Sequence, residues 1–342
     1  MNGSIPGNRH PRLCQDLIGC RDEVEEVGTF TIHAQPVGCV QSSEHAAYVT
    51  QDELRNHGHV PKTVRPTSTM NNLPLERDIV SDQLFSVSDK VVLVSGGSRG
   101  IGRALAEGFA KRGARVVITG RDAASLEATA IEISSGQHPV EFVECDVSKP
   151  ETVPSMIEAV VAKAGRIDSL LNVAGVNIRK RVEEYTVEEY DYITNINVKG
   201  AFLVAQAVGR QMISQGTGGT IVNIDSLNTF APLKGVLPYA MSKAGLGMMT
   251  RGMGSEWGDH GIRVNAIAPG FILTDLTNKL WSDPTMQAWG QANTPLRRLG
   301  KPEDMLGAAI FLASDASSYM TGQVIYVDGG ITCGMQWPIP LQ

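Results

Sequence analysis

The sequence predicts an α/β fold, a single doubly wound, seven-stranded parallel sheet with helices on both faces. Three observations predict it. After Lys90, short apolar runs rich in β-branched residues recur, each reading as a strand buried on both faces. Segments of helical period separate them, which is the rhythm of strand–helix–strand units. The first run, Val91 to Val94, leads through Gly96, Gly100 and Gly102 into a helical segment that stops at Gly113, a passage suited to holding an anion.

The elements follow in order. Residues 91–94 form the first strand and 103–112 the helix after the glycine turn. Glycine bares backbone N–H groups there, and a helix start adds partial positive charge. The second strand is expected at 114–119, followed by a helix capped by Asp122 and reaching about 134. A third strand at 140–145 precedes a helix over about 150–164. A fourth lies at 167–173, followed by a long helix pair over 187–215. A fifth strand at 220–224, a helix at 238–260 and a sixth strand at 263–267 come next. A helix at 302–314 and a seventh strand at 324–327 complete the sheet. Rossmann-type sheets of this kind bind ligands at the carboxyl ends of their strands, where strand order reverses.

Composition excludes several classes of function. The chain has 342 residues, enough for a sizeable core, and a formal net charge of −6. It has no basic block of the kind that grips nucleic acid. No apolar run approaches the roughly 20 residues that span a bilayer, so no membrane partner is expected. The N-terminus lacks a signal-peptide pattern. Five scattered cysteines read as free thiols in a reducing cytoplasm. Residues 1–82 differ from the rest, with Cys14, Cys20 and Cys39 and five of the seven histidines but no persistent period. They are expected to form an irregular or disordered extension to a nucleotide-binding domain at 83–342. Their spacings lack the close paired ligands of a zinc site, and no metal is assigned. A start at Met70 would make the first 69 residues non-native.

Cofactor choice is read at the end of the second strand. A carboxylate there usually holds the adenosine ribose and selects NAD. Here Gly120 and Arg121 stand instead, and Arg121 with Arg99 can face a ribose 2′-phosphate. NADP(H) is therefore preferred, while Asp122 leaves NAD(H) open. Asp146 is placed to hydrogen-bond the adenine amino group; otherwise it caps the next helix, which Ser148 could serve equally.

The chemistry centres on Tyr239 and Lys243, at i and i+4 on one helix face. A fixed ammonium favours phenolate, so the pair is expected to lower the tyrosine pKa and make a general acid/base for an alcohol or carbonyl. Ser226, at the end of the fifth strand, can polarise the reacting oxygen, although a turn serine would look the same.

These residues resemble the short-chain dehydrogenase/reductase family. The match comprises Ser95, Gly96, Gly100, Gly102, Asp146, Asn172 to Gly175, Asn197, Ser226, Tyr239, Lys243, Pro269 and Gly270. The resemblance implies that Ser226 steadies the substrate oxygen and Tyr239 transfers its proton. Lys243 would bind the nicotinamide ribose, and the Asn197 carbonyl would complete a water-linked relay. It implies a cofactor site of Gly96, Ser98, Arg99, Gly100, Ile101, Gly102, Arg121, Asp146, Val147, Asn172, Ala174, Gly175, Tyr239, Lys243, Pro269, Gly270, Ile272 and Thr274. Two departures stand out: Ser95 replaces the usual threonine and Val173 the usual second asparagine.

The C-terminal third resembles the gluconate 5-dehydrogenase branch and related sugar-acid or polyol dehydrogenases of that family, notably from Asn265 to Asp275 and from Tyr319 to Gly330. Arg179, Lys180 and Arg181 follow the fourth strand and can bind a substrate carboxylate, unless they form only a solvated loop. Asn177, Asn228 and Thr229 could read hydroxyls, and Tyr239 completes the substrate site. The segment 274–295, with Trp281, Met286 and Trp289, is a candidate lid or else ordinary packing. The tail from Cys333, with Trp337 between prolines, is expected by resemblance to pack on a neighbour in a homotetramer. The alternatives are a 3-oxoacyl carrier-protein reductase and a non-catalytic nucleotide-binding scaffold.

Overall fold

The computed structural model describes residues 83–134 and 137–334. The expectations for 1–82, the start at Met70 included, and for the tail at 335–342 lie outside the described residues.

Seven parallel strands form one sheet in the order β3-β2-β1-β4-β5-β6-β7. They are β1 (Val91–Ser95), β2 (Arg115–Gly120), β3 (Glu141–Glu144), β4 (Ser169–Asn172), β5 (Gly219–Ile224), β6 (Ile262–Pro269) and β7 (Val324–Val327). The nine α-helices among the described residues are α1 (Gly100–Ala110), α2 (Ala123–Ile133), α3 (Thr152–Ala164), α4 (Val187–Thr194), α5 (Ala201–Gln215), α6 (Leu237–Glu256), α7 (Asn278–Trp281), α8 (Pro284–Asn293) and α9 (Leu306–Ala313).

The period-2 geometry of β1 explains the layers. Val92 and Val94 point to one face, into a core shared with Leu105 and Phe109 of α1, Leu126 of α2 and Leu312 of α9. Val91 and Leu93 point to the other, into a core with Val160 of α3, Val208 of α5 and Met253 of α6. Each such fully buried Leu or Phe contributes about 2 kcal/mol against exposure. Strand order reverses between β1 and β4, so the carboxyl ends of the two strands diverge into a crevice.

Predicted and observed elements agree closely, with local differences. The helix pair expected at 187–215 contains a π-helical turn, Asn195–Gly200, between α4 and α5. A π turn widens the backbone ladder and often marks a functional site. The segment expected as one helix at 302–314 opens with a 3-10 turn, Pro302–Met305, before α9. Among the described residues no helix is long and apolar enough to cross a membrane.

Candidate active site

The glycine turn between β1 and α1 is shaped by absent side chains. Gly96 has φ +83°, and a Cβ there would stand 2.8 Å from the Ala174 backbone nitrogen. A Cβ on Gly102 would stand 2.1 Å from the Gly96 carbonyl oxygen. Gly100 has φ +53°, and a Cβ there would come to 3.6 Å from Thr274. The turn floors a cleft of about 400 Å³, walled also by Arg121, Asp146, Val147, Ala174, Gly175 and Thr274, with Ser98, Arg99 and Ile101 on its α1 side.

These residues fit a dinucleotide. The bare backbone and the α1 N-terminus suit a pyrophosphate. The buried Ser95 hydroxyl at the cleft has no partner among the described residues. Arg99 and Arg121 are exposed at its mouth. Asp122, the residue that left NAD open, is occupied: its carboxylate caps α2 by accepting from Ser125 N at 2.7 Å. Asp146 does not cap α3, whose N-cap is Glu151; its Oδ1 accepts from the Ser148 hydroxyl at 2.7 Å. Val173 keeps its place by donating N–H to Ser95 O and packing its side chain into the core.

Four of the expected cofactor residues stand behind the cleft wall. Asn172 is buried, its amide donating to Ala201 O at 3.0 Å and Asn223 Oδ1 at 3.1 Å. Pro269 ends β6, and Gly270 lets the chain pass Asp328, whose Cα would lie 2.6 Å from a Cβ. Ile272 is buried, and its carbonyl accepts from Thr277.

The polar cluster lies beside this cleft. Ser226, two residues past the end of β5, caps a short turn, and its Oγ accepts from the Asn228 backbone N at 3.2 Å and side-chain amide at 3.1 Å. With two bonds accepted, the hydroxyl proton is available to a third group. The Tyr239 phenol is close enough for that hydroxyl to draw its pKa down. Lys243 is buried, and its Nζ donates to Ile224 O at 2.7 Å and lies 5.7 Å from the Tyr239 ring centroid. Asn197, in the π turn, donates to Val176 O and the Ser242 hydroxyl and accepts from Val176 N. Ser242 in turn donates to Tyr239 O at 2.6 Å. One asparagine thus ties the loop after β4 to the tyrosine turn of α6.

Electrostatics correct one expectation. Tyr239 is not lowered: burial pushes it up to about 12, with Asp225 adding to the rise, while Ser226 and Arg179 oppose it. Lys243 is itself pushed down to about 8 by burial, opposed by Asp225. A phenol so placed holds its proton through the neutral range.

The model for the family described as enoyl-(acyl carrier protein) reductase matches residues 96–332. Gluconate 5-dehydrogenase of Gluconobacter oxydans is 40% identical over 252 residues, covering 74% of this chain and 98% of its own. The 2-dehydro-3-deoxy-D-gluconate 5-dehydrogenase of Escherichia coli is 36% identical, covering 72% and 96%. The chain belongs to the short-chain dehydrogenase/reductase family. Among solved structures of that kind, a gluconate 5-dehydrogenase from Burkholderia cenocepacia in complex with NADP and tartrate aligns with TM-score 0.71 and 35% identity, over 74% of this chain and 99% of its own.

Within this family frame, the expected substrate residues divide. Asn177 keeps a buried Oδ1 without a partner among the described residues. Arg179 is exposed and acts electrostatically on Tyr239. Lys180 is neutralised by an ion pair with Glu189, and Arg181 is exposed at the start of the next turn. Asn228 differs from expectation: its amide nitrogen holds Ser226 and its oxygen accepts from Leu233 N at 2.9 Å, so both ends are engaged within the chain. Thr229 donates to Asp225 Oδ1. In the candidate lid, Trp281 is buried and packs 5.1 Å from Phe271, with the exposed Trp289 at 5.6 Å from the same ring. Trp281 is thus an anchor for the segment. Cys145 and Cys333 are free thiols. Sequence reading missed Asp225; a carboxylate ending an apolar strand directly before Ser226 was the available signal.

Proposed function

We propose that the protein is an NADP(H)-dependent oxidoreductase that interconverts a secondary alcohol and a ketone of a sugar acid, as a gluconate 5-dehydrogenase does. The juxtaposition of Ser226, Tyr239 and Lys243 beside a dinucleotide-shaped cleft carries this reading. NADP(H), when bound, supplies or accepts the hydride. Ser226 donates a hydrogen bond to the substrate oxygen and keeps its proton, and Tyr239 transfers the single proton, to the ketone oxygen in reduction or from the alcohol in oxidation. Lys243 orients the nicotinamide ribose, and Asn197 holds the relay geometry from the π turn. Arg99 and Arg121, without ion-pair partners among the described residues, favour the 2′-phosphate and hence NADP(H) over NAD(H).

Arg179 is the cation best placed to receive a substrate carboxylate: Glu189 already neutralises Lys180, and Arg179 rather than the exposed Arg181 acts on the Tyr239 phenol. Asn177 offers its Oδ1 to a sugar hydroxyl. Asn228 acts through Ser226. Replacing Arg179 with Ala should raise KM for 5-ketogluconate about tenfold or more, since a charge-assisted hydrogen bond is worth about 1.5–3 kcal/mol. KM for a neutral ketone should stay within about twofold; equal effects on both would remove the carboxylate assignment.

The enzyme works in the cytoplasm as a homotetramer. Free thiols support the compartment, and the exposed apolar residues Phe202 of α5 and Met248 of α6 support the assembly.

A further inference from the structure

Asp225 stands between the two residues that hold the acid–base pair. The carbonyl of Ile224 before it accepts from Lys243, and the hydroxyl of Ser226 after it approaches Tyr239. Asp225 as a residue is 2% exposed. Thr229 donates to Oδ1 at 2.6 Å, and Oδ2 is buried with no partner among the described residues. Oδ2 lies against α6, where a Cβ on Gly247 would stand 3.2 Å from it. Gly247 is one helical turn beyond Lys243, on the same face. The glycine lets the carboxylate approach the helix one turn beyond the residue that carries the ammonium, and the two groups feel each other electrostatically.

We propose that Asp225 is a positioning residue for the proton transfer, its buried carboxylate keeping Lys243 charged and setting the pH at which Tyr239 exchanges its proton. The inference rests on the acid–base reading of Tyr239 given above. A buried ammonium with one carbonyl partner tends to lose its proton unless a negative charge balances it. Asp225 supplies that balance, and it is the group that opposes burial at Lys243. The other groups facing it are Tyr239 from α6 and Tyr326 from β7; Tyr326 also feels Arg251 and Asp328. β6 contributes a carbonyl, Ile267 O, to the Asp225 backbone N–H. Burial in turn pushes Asp225 up to about 6, with Lys243 and Thr229 opposing the rise.

Removing a negative charge lowers the pKa of every group that feels it. In Asp225→Asn, the climb of the oxidation rate with pH that follows Tyr239, whose own pKa lies above the measured range, and the bend where Lys243 loses its proton near pH 8 should both move toward acid. The measurement is kcat/KM for D-gluconate oxidation with NADP from pH 5 to 10, in wild type, Asp225→Asn, Asp225→Ser and Tyr239→Phe. The expected result is a profile displaced toward acid by about one pH unit in both Asp225 variants. Either variant serves if the other does not fold. Thermal melting gives a reading independent of turnover. A carboxylate whose folded pKa exceeds its unfolded value contributes stability below about pH 4 that is lost as pH rises through about 6. The difference in melting temperature, Asn variant minus wild type, should therefore grow more positive between pH 4 and pH 8. Superimposable rate profiles overturn the proposal even if the melting curves differ, because a merely structural role predicts that pattern. Wild-type turnover in Tyr239→Phe overturns the acid–base reading as well, so the two failures are distinguishable.

Discussion

Tyr239→Phe is expected to lower kcat for ketone reduction about 10²- to 10⁴-fold, the usual contribution of a positioned general acid. Binding of NADPH, followed by fluorescence, should change by no more than a few fold. The substitution removes one oxygen and keeps the ring, so the turn built by Ser242 and Asn197 should survive. The raised pKa gives the direction of the pH effect. With the phenol held up at about 12, its proton is available for delivery to a ketone through the neutral range. Alcohol oxidation needs the opposite form, so its rate should climb with pH until another group limits it. A phenylalanine variant that keeps within tenfold of wild-type kcat would mean that the proton travels elsewhere.

Gly102→Ala is expected to abolish cofactor binding at concentrations that saturate the wild type. The added methyl would stand 2.1 Å from the Gly96 carbonyl oxygen, a backbone atom that cannot swing aside. The turn and the start of α1 must separate, and the N–H groups aimed at a pyrophosphate lose their alignment. Loss of affinity of about 100-fold or more should accompany a stability loss of about 1–3 kcal/mol, the usual range for overpacking. Isothermal titration with NADPH and a thermal melt separate the two effects. Unchanged affinity would show that the turn is not the anion cradle.

Much of this was legible from residues alone. β1 reads as a buried strand because Val91 to Val94 bury both faces, and the structure buries all four. Asp122 was expected to cap a helix, and it does so through Ser125. The cradle glycines were legible because each removes a clash or takes a positive φ that other residues resist. What escaped depends on partners distant in sequence. The π turn at Asn195–Gly200 has only Gly200 as a local signal, a residue that a helix interior also tolerates; the turn brings Gly200 against Val147 O, which a Cβ would meet at 2.7 Å. Lys180 looked like a substrate cation until Glu189 came within salt-bridge distance. Asn228 looked free to read hydroxyls, but the chain engages both ends of its amide. The sign of the Tyr239 shift also needed the fold, because burial outweighs the Ser226 hydroxyl and the Arg179 charge that oppose it.

The most direct test of the central claim is cofactor oxidation by the full chain, with NADPH and NADH in parallel, against 5-ketogluconate, acetoacetyl thioester and a neutral ketone. The account predicts NADPH-dependent reduction of 5-ketogluconate in preference to both other acceptors, with NADH the poorer donor. Turnover of the thioester in preference to the sugar acid, or no oxidation of NADPH with any of the three, would contradict it.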